Sequence, residues 1–221
     1  MSTSRTFRAC PLCGEPLYPW ITLPPERGEA TVGMPLDAEQ GAERVIERCE
    51  NCGVALDRDR EADRAQEWAA VARLADAGRV ELPNLASLQA AIGVQGWTAI
   101  EDFPGRLMLT PRALELLGER TGNAVGPVST PACRQGQLGM WRTMLNGLTF
   151  HPNFEREVRA GRLTIATSRG RVRYLADVVV TVLGAPLVLL VSAPFELVGA
   201  LLKRGGVMTA DLVQGTTRGD K

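Results

Sequence analysis

Two copies of one pattern, Cys10-Pro-Leu-Cys13-Gly14 and Cys49-Glu-Asn-Cys52-Gly53, constrain this chain more than any other feature. A Cys-x-x-Cys turn points two sulfurs at one spot, and the glycine after it lets backbone amides fold over the thiolates. Two such turns supply the four ligands of a tetrahedral zinc site, so Cys10, Cys13, Cys49 and Cys52 are the predicted metal ligands, with Zn2+ as a structural cofactor. The first residues, Met1 to Arg8, hold no apolar run, so no secretory signal is read and a cytoplasmic location is expected. Unexported thiols in this spacing favour zinc; two disulfides in an exported domain are the competing reading.

The remaining chemistry is sparse. Cys133 is left over, and its neighbours read as a loop or a helix start. The single histidine, His151, stands beside a proline and reads as a capping or packing residue. With one histidine, no Ser/His/Asp constellation can be built, and no phosphate-binding loop is present. Lys+Arg and Asp+Glu both number 25 in 221 residues, so net charge alone implies no affinity for nucleic acid or anionic membrane. Around the cysteines, Arg5, Arg8, Arg27, Arg44 and Arg48 are outnumbered by Glu15, Glu26, Glu29, Asp37, Glu39, Glu43, Glu47 and Glu50. That excess argues against a nucleic-acid-binding ribbon, which is kept as an alternative.

The predicted fold class is α+β and mostly helical: an N-terminal four-cysteine zinc ribbon, a helical region with few short strands, and a C-terminal apolar helical hairpin. Residues 1–56 read as the ribbon, with Leu17, Trp20, Val45, Ile46, Val54 and Leu56 in short strands around the metal and an ordered loop within 14–48. Metal binding would supply much of the folding energy of so small a module. Residues 57–125 read as helix–strand–helix. A charged helix spans 57–79, capped by Asp57 or Asp59 and ended by Gly78, with Asp59, Arg60, Asp63, Arg64 and Glu67 on a solvated face. A short strand follows at 79–83, and a helix opens at Thr110-Pro111. Glu101 and Asp102 read as a turn. Residues 132–206 read as a helical region, with Leu138, Trp141, Leu145 and Leu148 on one helix face, and 207–221 as a tail.

Val178 to Phe195 contains no charged residue, long enough for a membrane candidate. Gly184, Pro186 and Pro194 interrupt it, and Asp177 and Glu196 sit at its edges. Arg169, Arg171 and Arg173 precede it; Lys203 and Arg204 follow. Cations on both sides give no orientation by the positive-inside rule. They fit a hairpin over 175–203 dipping into one leaflet, peripheral or integral at the cytoplasmic membrane. A buried hairpin in a soluble core or dimer interface is the alternative.

The middle of the chain resembles class I S-adenosylmethionine-dependent methyltransferases. The residues that carry this are Leu82-Pro83-Asn84, Ser87-Leu88, Trp97, Phe103-Pro104, Leu107, Leu109-Thr110-Pro111, Leu114, Leu117 and Gly122, preceded by the helix–glycine–strand run 68–80 and followed by Arg204-Gly205-Gly206. The resemblance implies a Cys-x-x-Cys ribbon ahead of a catalytic sheet. That sheet needs a glycine-rich loop and an acidic residue for the methyl donor. Only residues 53–82 separate the second cysteine pair from the Pro-Asn turn, and they hold no Gly-x-Gly. The cofactor half is therefore expected to be absent, and S-adenosylmethionine is not expected to bind. Residues 104–108 also lack the histidine frequent in that family. The expected function is a non-catalytic, zinc-binding adaptor or regulatory protein derived from such an enzyme, with a protein partner or a second copy of itself. A subunit of an active methyltransferase complex is the alternative.

Overall fold

The computed structural model describes residues 7–23, 43–101, 103, 105–151, 153–161, 163 and 168–213. Asp102, Pro104, the part of the expected tail beyond residue 213, and positions 24–42 of the loop expected within 14–48 lie outside these. The described chain is α+β, with two small antiparallel sheets, short helices and one long apolar helix.

The first sheet grows from the cysteine pairs. Strand β1 (Leu17–Leu23) pairs antiparallel with β2 (Arg44–Cys49), and β2 with β3 (Ala55–Asp57). Pairing slips by one residue between Pro19 and Ile21; before the slip Leu17 is buried in one apolar cluster, and after it Ile21 and Leu23 are buried in another. Pro19 lacks an N–H and is tolerated because β1 is the edge strand. A short β5 (Leu107–Met108) pairs with the other side of β3, giving the order β1-β2-β3-β5. The second sheet, β4-β7-β6, pairs β4 (Arg79–Pro83) and β6 (Ala124–Val125) with a central β7 (Val207–Val213). One apolar cluster spans both sheets: Leu12, Val54 and Leu56 pack with Val80, Leu82, Leu114, Leu117 and Met208. Full burial of each such side chain contributes about 1.5–3 kcal/mol.

Capping sets the helix starts. Asp63 accepts from Gln66 N at 2.9 Å to open α1 (Arg64–Ala72), and Ser87 accepts from Ala90 N at 3.0 Å to open α2 (Leu88–Gly93). Thr110 opens α3 (Pro111–Arg120), with proline in the first turn as expected. Cys133 is a helix start: its Sγ accepts from Gly136 N and opens α4 (Arg134–Asn146). The short α5 (Phe154–Arg159) follows. The predicted helix over 57–79 is shortened to α1, because Asp57 is held in β3 by pairing with Ile46, and Asp76 to Arg79 form a turn.

The expected apolar hairpin is not a hairpin. Helix α6 (Ser168–Val179), a π-helical turn (Val180–Gly184) and α7 (Ala185–Leu201) run on as one rod of 34 residues. The π turn ends two residues before Pro186, where the α-helical hydrogen-bond register is already changed, and this accommodates the missing N–H. Residues 207–213, read from sequence as the head of a tail, are instead the middle strand of the second sheet. Glu67, read as solvated, is buried.

Candidate metal centre

The two cysteine turns are the same local structure. In each, the amide of the first cysteine donates to the carbonyl of the residue five positions on: Cys10 N to Glu15 O at 2.7 Å, Cys49 N to Val54 O at 2.9 Å. In each, the following glycine donates back to the first cysteine's carbonyl, Gly14 to Cys10 and Gly53 to Cys49, both at 2.9 Å. Gly14 and Gly53 sit at φ 83° and 75°, which a side-chain-bearing residue rarely adopts.

The tertiary fold brings the turns face to face. All four Sγ atoms lie within 4.8 Å of one another, with Cys10–Cys52 at 3.6 Å, Cys13–Cys49 at 3.4 Å and Cys13–Cys52 at 3.8 Å. A tetrahedron with metal–sulfur bonds of ~2.3 Å has sulfurs ~3.8 Å apart, so the donor set fits one thiolate-bound metal ion. These separations are far beyond a sulfur–sulfur bond of ~2.05 Å, and all five cysteines are free. Cys10, Cys49 and Cys52 are buried, and Cys13 is partly exposed.

The thiols are electrostatically unequal. The hydrogen bond from Cys52 brings the Cys10 thiol down to about 5, assisted by backbone amides of Cys13 and Leu12 and opposed by burial. Cys52, as the donor, is pushed up, and burial pushes Cys49 up. One thiolate thus forms readily, and a bound dication would deprotonate the rest.

Three further polar arrangements lie away from the sulfurs. The Glu67 carboxylate accepts from Arg106 N at 2.8 Å and Leu107 N at 3.0 Å, clasping the start of β5. Asp177, on α6, accepts from Phe150 N at 2.7 Å and His151 N at 3.1 Å, and its carboxylate also contacts His151 Nδ1. His151 is buried, with its ring 6.3 Å from that of Phe154. Glu196, on α7, accepts from Gln89 Nε2 at 2.8 Å and Gly206 N at 3.1 Å. Burial pushes its carboxyl above the usual range, against both hydrogen bonds.

Asp177 and Glu196 expose the unusual polarity of the long helix. The side facing the protein is small and polar: Asp177 and Ser192 are 0% exposed, Glu196 is 2% exposed, and Gly170 and Gly199 are buried. The side facing away is apolar: Leu187, Leu190 and Leu201 are 67%, 74% and 76% exposed. Helix α4 lies along the inner side: Gly136 is where Glu196 packs, and Trp141 Nε1 donates to Ala185 O at 3.0 Å. Sequence reasoning treated Asp177 and Glu196 only as edges of an apolar run. Their phase with Thr181, Ala185, Ser192 and Gly199, at steps of three, four and seven, was the available signal.

Comparison with protein-family models, curated proteins and solved structures finds no match.

Proposed function

We propose that this chain is a zinc-stapled, non-catalytic adaptor held at a membrane surface by its long C-terminal helix, and descended from a methyltransferase-like ancestor. The observation that carries it is the inverted polarity of that helix. Apolar surface costs about 25 cal/mol per Å² when left in water, and a contiguous stripe of this length marks a lipid or partner interface. A soluble protein would turn the stripe inward. Here carboxylates and small residues occupy the inner side, the arrangement expected when the outer solvent is not water.

Zinc is favoured by the all-sulfur tetrahedral donor set; magnesium and calcium take oxygen ligands. The centre is closed: four protein ligands leave no open position for substrate, which suits a structural role. The non-catalytic reading is supported by the segment between the cysteines and the Pro-Asn turn. It holds β3, α1 and β4, and β4 pairs antiparallel with β7, where a cofactor-binding sheet would be parallel.

The test is fractionation of the full chain from cells. The proposal expects it in the membrane fraction after carbonate washing, with one zinc per chain and a co-purifying protein after detergent extraction. A freely soluble, monodisperse chain, or tight stoichiometric binding of S-adenosylmethionine, would overturn it.

A further inference from the structure

We infer that the long helix lies in the plane of one leaflet and selects anionic lipid, holding phosphate headgroups with the cations at its two ends. This rests on the membrane reading above and adds the orientation and the lipid class.

Orientation follows from what holds the helix. At ~1.5 Å per residue, 34 residues span about 50 Å, well over a hydrocarbon core of ~30 Å. Length alone would permit a tilted span. Yet near one end Asp177 is tied to Phe150 and His151, and near the other Glu196 is tied to Gln89 and Gly206. Between these ties α4 lies alongside, and it carries the exposed Arg134 and Arg142. A span would carry those arginines and the polar inner face into hydrocarbon, at a cost of several kcal/mol. Lying flat, the helix buries only its apolar side, as interfacial helices do.

The neighbouring surface extends that side. Ile92, Val94 and Leu148 are exposed and share a groove of about 670 Å³ with Leu187 and Val191, and Phe150, two residues after Leu148, is 65% exposed. The apolar face is thus wider than one helix and belongs to more than one element.

Charge complementarity fixes the occupant as anionic lipid. Arg169 and Arg171 are exposed in the first turn of α6, and Arg173 lies over the Phe150 ring at 5.8 Å. Lys203 and Arg204 are exposed just past α7. Arg169, Arg171 and Lys203 have no carboxylate partner among the described residues. The acids of the rod, Asp177 and Glu196, are buried and face inward, so they do not offset these cations at the outer surface. The formal net charge of zero conceals a local excess of positive charge at both ends of the apolar face. A juxtamembrane cation near an anionic surface is attracted in proportion to the number of such residues, and the attraction is screened by salt.

The experiment adds the full-length, zinc-loaded chain to preformed sealed vesicles of phosphatidylcholine, with or without phosphatidylglycerol, and measures flotation. The variant R169Q/R171Q/K203Q removes three exposed cations that make no ion pair among the described residues, so its zinc content and circular dichroism should equal the parent's. The expected result is strong flotation with the anionic vesicles, weakened by salt, and an affinity lower by on the order of a hundredfold in the variant. A membrane-impermeant protease should cut both before residue 168 and after residue 201 from outside. Equal flotation on both vesicle types, with the variant unaffected, overturns the anionic-lipid inference and leaves membrane association standing. Protection of one end by the vesicle interior overturns the in-plane orientation. No flotation with either vesicle, together with a discrete dimer in solution, overturns the membrane reading itself.

Discussion

Thr110 Oγ1 donates to the carbonyl oxygen of Cys52 at 2.7 Å and accepts from Ala113 N at 3.1 Å. One hydroxyl therefore ties the second cysteine turn to the start of α3. The contact is close-packed as well: a Cβ on Gly53 would stand 2.8 Å from Thr110 Cγ2. The metal centre is coupled through this point to the core that holds the second sheet. Thr110→Val keeps the volume and removes both hydrogen bonds. A loss of about 1–2 kcal/mol in stability is expected, with faster metal loss to a chelator. Urea denaturation and chelator competition measure the two effects; an unchanged rate of metal loss would uncouple α3 from the centre.

Metal removal should act locally. Chelation is expected to abolish amide protection over the first three strands, Leu17–Leu23, Arg44–Cys49 and Ala55–Asp57, while most of the helical signal in far-ultraviolet circular dichroism persists. Cys52→Ser should do the same without chelator. Hydrogen exchange at unchanged rates after full metal removal would show that the four thiols are not a folding staple.

Glu67 is a clasp on β5. Glu67→Ala strands the part-buried amide of Arg106 and the buried amide of Leu107, and is expected to cost about 2–4 kcal/mol. Glu67→Gln keeps one acceptor and should cost less than half of that. Equal losses in the two variants, read from chemical denaturation midpoints, would assign the effect to packing.

The two sides of the long helix should respond oppositely to mutation. Ser192→Leu forces an apolar side chain into a fully buried inner site and is expected to cost about 1–3 kcal/mol. Leu190→Ser, on the outer side, should change stability in detergent by less than about 0.5 kcal/mol and weaken vesicle binding. The reverse pattern would mean the helix is packed the other way round.

Glu196 gives a pH signature. Its carboxyl is raised above the usual 4.5 in the folded chain, mainly by burial. Between that value and the folded one, the unfolded chain has released its proton and the folded chain has not. The contribution of this group to stability therefore falls as pH rises through the range just above 4.5. Subtracting the stability of Glu196→Gln from the parent's at each pH should leave a curve that declines upward from there. A flat difference would refute the burial-driven shift.

Local patterns carried far in this chain. The two Cys-x-x-Cys-Gly turns specified their own hydrogen bonds and left-handed glycines, because every partner lies within six residues. Strand β4 and the Thr110-Pro111 helix start were equally local, set by Gly78, alternation and capping. What failed did so through distance. The helix over 57–79 lost its first turns to strand pairing with Ile46, eleven residues back from Asp57. The apolar interruptions at Gly184 and Pro186 look like a reversal in sequence, yet the helix runs on through a single π turn.

By itself the sequence determined the two cysteine turns, because a Cys-x-x-Cys-Gly turn is a short-range object. It also set an uncharged apolar run from Val178 to Phe195. Only the tertiary structure decided which way that run faces. Asp177 and Glu196 turn inward because the backbone amides of Phe150, His151 and Gly206, with the Gln89 amide, can satisfy them there. Those partners lie on separate elements, and a buried carboxylate without them would cost several kcal/mol. Their placement leaves the leucines outside, and it gives the apolar run its meaning.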